Sequence, residues 1–146
     1  MSLQNKLKEH MNDKIEAQKK EGREFLELNK NKPGVTVLDG GLQYEVVKEG
    51  TGMRPGANDT VTVNYKGTLT NGTEFDNSYK RGEPATFSLD CVIRGWTEGL
   101  QLMSVGGKYK FYIPYQLGYG LNEMGTIPAG SALVFEVELL NVKRPQ

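Results

Sequence analysis

Aromatic side chains mark the part of this sequence where chemistry is most plausible. Six of them come from different predicted strands, a short predicted helix and a loop: Tyr65, Phe75, Phe87, Trp96, Tyr119 and Phe135. Most buried aromatics are core residues, but Tyr119 lies between two glycines and Asp76 directly follows Phe75. A lone acid beside an aromatic ring fits a lined cavity as well as a core. The residues alone leave both interpretations open.

Nucleophiles and metal ligands are scarce. The 146 residues include one histidine, His10, and one cysteine, Cys91. This inventory excludes an internal disulfide and a multi-cysteine metal site, and it leaves little room for a catalytic triad. We find no nucleophile elbow, Walker loop or zinc-helix motif. We therefore expect no metal and no cofactor, and we interpret Cys91 as a small apolar residue.

The overall charge is balanced, with 18 basic and 18 acidic residues. A net charge of zero argues against a protein that mainly grips nucleic acid or an anionic membrane surface. No apolar run approaches the ~20 residues that a membrane span needs. The length suits one ordinary domain with an appendage.

The appendage is residues 1–32, which have a helical pattern. Leu3, Leu7, Met11 and Ile15 recur every four residues, and Phe25, Leu26 and Leu28 follow them. This spacing places the apolar side chains on one stripe of a helix over 3–32, about 45 Å long. Pro33-Gly34 ends the pattern. The stripe either packs on its own domain or joins two copies of the chain, and we favour the second interpretation.

From residue 35 the apolar period changes to two. Alternation or short apolar runs predict five strands, mostly antiparallel, around 42–46, 61–66, 86–89, 109–113 and 133–139. Asn71-Gly72 predicts a tight hairpin turn. Trp96, Leu100 and Met103 share one face of a short helix near 95–103. One helix across a curved antiparallel sheet is an α+β arrangement.

Several segments also follow the order of a known family. They are Val61–Leu69, Asn71–Ser78, Val92–Leu100, Ile113-Pro114, Leu117–Gly120, Ile127-Pro128 and Leu133–Leu140. In this order, over about residues 41–142, the chain resembles the FKBP-type peptidyl-prolyl cis–trans isomerases. Glu21–Leu26 and Gly41–Tyr44, after a long charged helix, are similar to the macrophage infectivity potentiator-like branch of bacterial envelope proteins.

The resemblance implies a curved sheet of five to six antiparallel strands wrapped over one short helix. It divides the chain into an N-terminal helix, residues 1–32, and an isomerase domain, residues 33–146. Carried over to this sequence, the substrate-binding residues are Tyr65, Phe75, Phe87, Val92, Trp96, Ile127 and Phe135, with Trp96 as the floor of the pocket.

The same resemblance implies three catalytic residues. The backbone N–H of Ile93 and the hydroxyl of Tyr119 would each donate a hydrogen bond to a substrate carbonyl. Asp76 would either face the carbonyl carbon of the substrate or orient neighbouring hydroxyls such as that of Tyr65. Both roles of Asp76 stay open at this point.

The implied function is to accelerate the rotation of X–Pro bonds in client proteins that fold in the bacterial cell envelope. Such rotation makes and breaks no bond, which agrees with the lack of nucleophiles and metal ligands. The implied partners are proline-containing clients, macrolide ligands and a second copy bound through a longer N-terminal helix. The implied location is the periplasm or the outer membrane rather than the cytoplasm, with an export signal upstream of this sequence.

A second interpretation belongs to another class of protein. The long amphipathic helix could hold two pockets at a fixed distance, which would increase avidity for chains with several prolines. The protein would then be a chaperone or adhesion module that binds proline-containing segments, and its isomerase activity would be incidental.

Overall fold

The computed structural model describes residues 2–145 and begins with a long helix, α1 (Leu3–Asn29). The side chain of Ser2 caps this helix by accepting a hydrogen bond from the backbone N–H of Asn5 at 3.2 Å. Lys30 is the C-terminal cap, and its N–H donates to the carbonyl of Leu26 at 3.0 Å. The helix therefore ends three residues before the predicted limit, ahead of Pro33-Gly34.

Seven strands form a single antiparallel sheet within residues 2–145. They are β1 (Val35–Val37), β2 (Gln43–Lys48), β3 (Thr60–Leu69), β4 (Glu74–Asn77), β5 (Ala85–Ser88), β6 (Lys108–Ile113) and β7 (Leu133–Lys143). Their order is β1-β2-β6-β7-β3-β4, and β5 also pairs with β3. The predicted α+β class is confirmed. The count exceeds the predicted five to six because β1 and β4 are too short to show clear alternation in sequence.

Two short α-helices, α2 (Ser78–Arg81) and α3 (Arg94–Leu100), and two single 3-10 turns lie between the strands of the described residues. Glycines bring α3 close to β6: a Cβ atom on Gly95 would lie 2.7 Å from the Ile113 side chain. A Cβ atom on Gly99 would likewise lie 2.6 Å from the ring of Phe111. Because α3 approaches so closely, its apolar face and the inner faces of β3, β6 and β7 share one core.

Helix α1 docks onto this domain from about its middle to its C-terminal end. Gly22 is buried, and a Cβ atom built there would lie 3.0 Å from the Cβ of Ala132. At the end of the helix, buried Asn29 donates from Nδ2 to Oε1 of Gln43 at 2.8 Å. Gln43 in turn donates to the carbonyl of Leu26 at 2.9 Å. These contacts fix the direction in which α1 leaves the sheet.

The apolar stripe of α1 is therefore divided. Ile15, Phe25 and Leu26 are partly buried against the domain. Leu3 and Leu7, in contrast, are exposed. Among residues 2–145, no helix has both the length and the apolar character that a membrane span requires.

Candidate active site

An open pocket of about 360 Å³ lies beside α3, where β3, β4, β5 and β7 contribute side chains. Nine of the ten residues predicted for the site line it, together with Cys91. The lining residues are Tyr65, Phe75, Asp76, Phe87, Cys91, Val92, Ile93, Trp96, Tyr119 and Phe135. The pocket is part of the aromatic core rather than separate from it, because several of these residues also belong to the core cluster.

Trp96 of α3 lies at the centre of the aromatic set. Its ring is nearly perpendicular to those of Tyr65 (87°), Phe87 (89°) and Phe135 (86°), at centroid distances of 5.2, 5.4 and 5.3 Å. Edge-to-face contacts of this kind are favourable beyond the area that they bury. Three neighbours from three strands thus hold the indole of Trp96 in one orientation.

The ring of Phe75 also lines the pocket, and its position requires a glycine at residue 67. Its ring meets that of Phe135 edge to face, at 5.4 Å and 85°. A Cβ atom on Gly67 would lie 2.6 Å from Phe75 and 2.7 Å from Phe135. The two rings therefore occupy space that any larger residue at position 67 would need. Sequence reasoning did not single out Gly67, although a glycine inside a strand often marks such a close approach.

The polar part of the site is centred on Asp76 of β4. Its carboxylate accepts hydrogen bonds from the Tyr65 hydroxyl and from Nη1 of Arg81. It also accepts from the backbone N–H of Asn77 at 2.9 Å. Nη2 of Arg81 donates to the Tyr65 hydroxyl at 3.2 Å, and its guanidinium lies 5.6 Å from the centre of the Tyr65 ring. Asp76, Arg81 and Tyr65 are thus linked in a closed triangle.

This triangle sets the protonation of its members. Partial burial opposes ionisation of Asp76, but the hydrogen bonds from Tyr65 and Arg81 outweigh it and lower the pKa of the carboxyl group. Burial, reinforced by the hydrogen bond to Asp76, raises the pKa of Tyr65. Asp76 is therefore a carboxylate and Tyr65 a neutral phenol at neutral pH. The sequence analysis did not assign Arg81 to the site, although Arg81–Pro84 belongs to the segments that are similar to the family branch.

Hydrogen-bond donors of the pocket without a partner within residues 2–145 include Nε1 of buried Trp96 and two donors at the pocket edge. The Tyr119 hydroxyl makes no bond to this part of the chain, and burial raises the pKa of Tyr119, with a further contribution from the charge of Asp76. The backbone N–H of Ile93, directly before α3, donates to no group of the described chain. Both donors can therefore bind an acceptor that enters the pocket.

Backbone hydrogen bonds join the two ends of the loop that carries Tyr119. The N–H of Gly130 donates to the carbonyl of Gly120 at 2.8 Å, and the N–H of Gly120 donates to the carbonyl of Tyr115 at 2.9 Å. Gly120 has a positive φ of 64°, which suits a residue without a Cβ atom. These bonds hold Tyr119 at the edge of the pocket.

Ile127 is the one predicted site residue that does not line the pocket. Its side chain is buried in the same core cluster as Trp96, and it also borders a groove beside α1. The reason is a tight turn: Ile127 and Met124 exchange two backbone hydrogen bonds, of 2.9 and 3.1 Å, which fold residues 121–129 back on themselves. The predicted contact of Ile127 with substrate remains a prediction, without support from the pocket geometry.

Cys91 differs from its interpretation as a small apolar residue. It is exposed at the pocket edge, and its thiol donates to Oδ1 of Asp90 at 3.2 Å. This hydrogen bond and the charge of Asp90 raise the pKa of the thiol.

Within the described chain, no three side chains of His, Cys, Asp or Glu lie close enough together to hold a metal ion. The pocket can enclose an apolar ring and donate hydrogen bonds to carbonyl groups at its edge.

Two protein-family models match the chain. The model described as FKBP-type peptidyl-prolyl cis-trans isomerase matches residues 51–140. The model described as a domain amino terminal to FKBP-type peptidyl-prolyl isomerase matches residues 1–46. Together they cover α1 and most of the sheet that forms the pocket.

Individual proteins agree with these models. The FKBP-type peptidyl-prolyl cis-trans isomerase FkpA of Aeromonas hydrophila is 56% identical over 133 residues, which are 91% of this chain and 49% of that protein. The outer membrane protein MIP of Legionella longbeachae is 48% identical over 134 residues, 91% of this chain and 58% of that protein. The crystal structure of FkpA from Escherichia coli superposes with a TM-score of 0.90 at 49% identity, covering 93% of this chain and 64% of that one. This chain thus spans about half the length of the curated relatives it matches.

Proposed function

The chain belongs to the FKBP-type peptidyl-prolyl cis–trans isomerase family, which confirms the resemblance seen in its sequence, and from this membership we propose that its pocket accelerates rotation about X–Pro bonds in client polypeptides. The observation that carries the proposal is the aromatic enclosure around Trp96, with two free donors at its edge. A proline ring is an apolar group of the kind that such an enclosure binds.

The reaction has a barrier but no bond to break. Resonance holds the X–Pro amide flat, and rotation must cross about 18–20 kcal/mol. Uncatalysed rotation therefore takes tens to hundreds of seconds. A catalyst needs only to bind the twisted amide more tightly than the flat one.

A dry aromatic pocket provides this preference. The flat amide has charge-separated character that water stabilises, and the twisted amide has less of it. Transfer from water to the surroundings of Tyr65, Phe87 and Trp96 therefore disfavours the flat form more than the twisted form. Each 1.36 kcal/mol of this difference corresponds to about a tenfold increase in rate.

The polar residues position the substrate. We assign the N–H of Ile93 and the hydroxyl of Tyr119 as donors to substrate carbonyl groups, since both lack a partner within the described chain. We assign to Asp76 the orientation of the Tyr65 hydroxyl, since its carboxylate is already engaged by Tyr65 and Arg81. Of the two roles left open by the sequence, this one agrees with the hydrogen bonds.

The proposed setting is the bacterial cell envelope, either the periplasm or the outer membrane. Its support is that one similar protein is named an outer membrane protein.

We further propose that the chain pairs with a second copy through α1, because Leu3, Leu7 and Met11 are exposed at four-residue spacing on this helix. Sedimentation of the chain beside a Leu7→Glu variant tests the pairing, and one identical monomer mass for both contradicts it.

Macrolides are the small molecules that the family resemblance implies, and we propose that they occupy the same pocket. Trp96 is the only tryptophan of the sequence and lines that pocket, so its fluorescence reports occupancy. A saturable change in this fluorescence on titration with a macrolide is expected, and a proline-containing peptide should compete with the macrolide.

The alternative of a binding module with incidental isomerase activity is not favoured, since FkpA of A. hydrophila is itself named an isomerase.

The activity is tested with Phe75→Ala in a protease-coupled assay on a short prolyl peptide. Removal of this ring opens one wall of the pocket, and we expect kcat/KM to fall at least about tenfold. Phe25→Ala is the matched control, because Phe25 packs on Tyr112, 6.2 Å away, rather than in the pocket. Far-UV circular dichroism verifies that both variants are folded. Equal kcat/KM for Phe75→Ala and the parent chain would reject the pocket as the active site.

A further inference from the structure

A short 3-10 turn, Leu89–Cys91, forms one edge of the aromatic pocket, between β5 and α3. Its last residue, Cys91, lines the pocket, and the residue before it, Asp90, is exposed. The Cys91 thiol donates to Oδ1 of Asp90 at 3.2 Å, so this carboxylate is in direct contact with a side chain of the pocket lining. The pocket therefore has an acidic group directly outside its edge.

The position of this turn is fixed by Leu89. The N–H of Leu89 donates to the carbonyl of Asp59 at 2.9 Å, and the carbonyl of Leu89 accepts from the Thr97 hydroxyl at 2.6 Å. The side chain of Leu89 is fully buried in the core. Because the turn is held by its main chain and by this side chain, it keeps Asp90 at one place beside the pocket.

The carboxylate of Asp90 carries a charge that no cation offsets. Its Oδ1 accepts hydrogen bonds from two uncharged donors, the Ser88 hydroxyl at 2.5 Å and the Cys91 thiol. Its Oδ2 accepts none from another residue within residues 2–145, and Asp90 forms no ion pair in that range. The hydrogen bonds from Ser88 and Cys91 lower the pKa of the carboxyl group, so the group is ionised at neutral pH.

The other charges of the pocket and of the adjoining start of α3 are paired. Asp76, in the pocket lining, forms an ion pair with Arg81. Arg94, the first residue of α3, lies 3.6 Å from the carboxylate of Glu98 on the same helix. The local electrostatic potential at this edge is therefore set by Asp90, and it is negative.

The charge of Asp90 is also close to the place that we assign to the substrate backbone. The N–H of Ile93 is the proposed donor to a substrate carbonyl, and Ile93 follows Asp90 by three residues. Since consecutive Cα atoms are about 3.8 Å apart, the Cα atoms of Asp90 and Ile93 lie within about 11 Å of each other. A lysine or arginine next to the bound proline has a long, flexible side chain that can bring its cation to Asp90. An acidic residue there would meet a charge of the same sign.

We propose that Asp90 is a specificity-determining residue, which makes the pocket prefer X–Pro segments with a basic residue next to the proline over segments with an acidic one. The proposal rests on the proposed isomerase function and names its substrate class. An exposed ion pair increases affinity by a factor of only about two to five. The charge therefore selects among clients and is not required for bond rotation itself. The preference should weaken with salt, since the screening length falls from about 10 Å at 0.1 M to about 3 Å at 1 M.

The test measures kcat/KM by NMR exchange spectroscopy on prolyl pentapeptides with blocked ends. This method needs no coupling protease, whose own charge preference would interfere. The peptides carry lysine, glutamine or glutamate directly before or directly after the proline. Asp90→Asn removes the charge and keeps the shape of the side chain, and Asp90→Lys inverts the charge. Asp13→Asn is the matched control, because Asp13 is exposed on α1 and does not line the pocket. Far-UV circular dichroism verifies that the variants are folded.

For the parent chain at low salt, we expect kcat/KM for the lysine peptide to exceed that for the glutamate peptide about fivefold in at least one of the two positions. Asp90→Asn should lower this ratio to about one and leave kcat/KM for the glutamine peptides within about twofold of the parent value. Asp90→Lys should reverse the order, and Asp13→Asn should keep the parent ratio.

A parent chain that does not distinguish lysine from glutamate at either position overturns the inference. So does a parent-like ratio in Asp90→Asn, because the preference would then come from another charge. If the parent chain accelerates none of the peptides, the proposed isomerase function itself is rejected, and this result is distinct from activity without a charge preference.

Discussion

The Tyr65 hydroxyl donates its hydrogen bond to the carboxylate of Asp76, across the pairing of β3 with β4. The aromatic wall and the single carboxylate of the pocket are therefore one unit, and Arg81 bonds to both. The ring of Tyr65 is held by its packing on Trp96 and by its hydroxyl at the same time.

Tyr65→Phe removes the hydroxyl and keeps the ring, whereas Asp76→Ala removes the acceptor and leaves Tyr65 and Arg81 without it. We expect both variants to lower kcat/KM on a prolyl peptide, with Asp76→Ala the more severe. We also expect Asp76→Ala to lower the free energy of unfolding by about 1–2 kcal/mol, since Asp76 is partly exposed and water replaces part of the lost bonding. Urea unfolding and the protease-coupled assay measure the two effects. Full activity of Tyr65→Phe together with a large loss in Asp76→Ala would mean that Asp76 acts on the substrate directly.

The stability of the chain should depend on the ionisation of Asp76. Its pKa is lower in the folded chain than in the unfolded chain, where it is about 3.9. Its contribution to the free energy of unfolding is therefore present above the unfolded pKa and is lost as the pH falls through the folded pKa. The difference in free energy of unfolding between the parent chain and Asp76→Asn should be constant from pH 7 to about 5 and shrink below about 4. A difference that grows on acidification contradicts the lowered pKa.

Gly67→Ala should displace the aromatic rings that line the pocket. The new methyl group would lie 2.6 Å from Phe75 and 2.7 Å from Phe135, so at least one ring must move. We expect a loss of about 1–3 kcal/mol in the free energy of unfolding, as is usual for an overpacked core, and a lower kcat/KM. Gly72→Ala is a useful comparison, because nothing lies within 4 Å of a Cβ atom there and any cost comes from its positive φ of 90°. Parent-like kcat/KM in Gly67→Ala would show that the two rings can shift without consequence.

Alkylation of Cys91 should inhibit the proposed isomerase activity, because the thiol lies at the edge of the pocket. The hydrogen bond to Asp90 and the charge of that residue raise the pKa of the thiol, which keeps it protonated and slow to react at neutral pH. Asp90→Asn should therefore increase the rate of reaction with iodoacetamide at pH 7. Labelling is followed by mass spectrometry and activity by the peptide assay. Inhibition of a Cys91→Ser variant by the same reagent would show that another site reacts.

Local sequence determined the elements of the fold. Alternation with period two predicted the long strands, and Asn71-Gly72 predicted the turn before β4. These signals are readable because a strand or a tight turn depends on neighbours within a few residues. The family resemblance then named nine of the residues that line the pocket, whereas periodicity alone left core and pocket as equal interpretations. In the structure the two coincide, since Trp96 is both buried and part of the pocket lining.

The tertiary structure alone decided which residues meet. The apolar stripe of α1 predicts one face of a helix, whereas its docking depends on Gly22 meeting Ala132, 110 residues later in the chain, and on Asn29 meeting Gln43. Arg81 lies only five residues after Asp76, but its second hydrogen bond, to the Tyr65 hydroxyl, joins it to a strand sixteen residues earlier in the chain. Periodicity reports the face on which a side chain lies, whereas the partner of that face is set by strand register and by close packing between elements. For this reason the chemistry of the pocket was predictable from the sequence, and the docking of α1 on the domain was not.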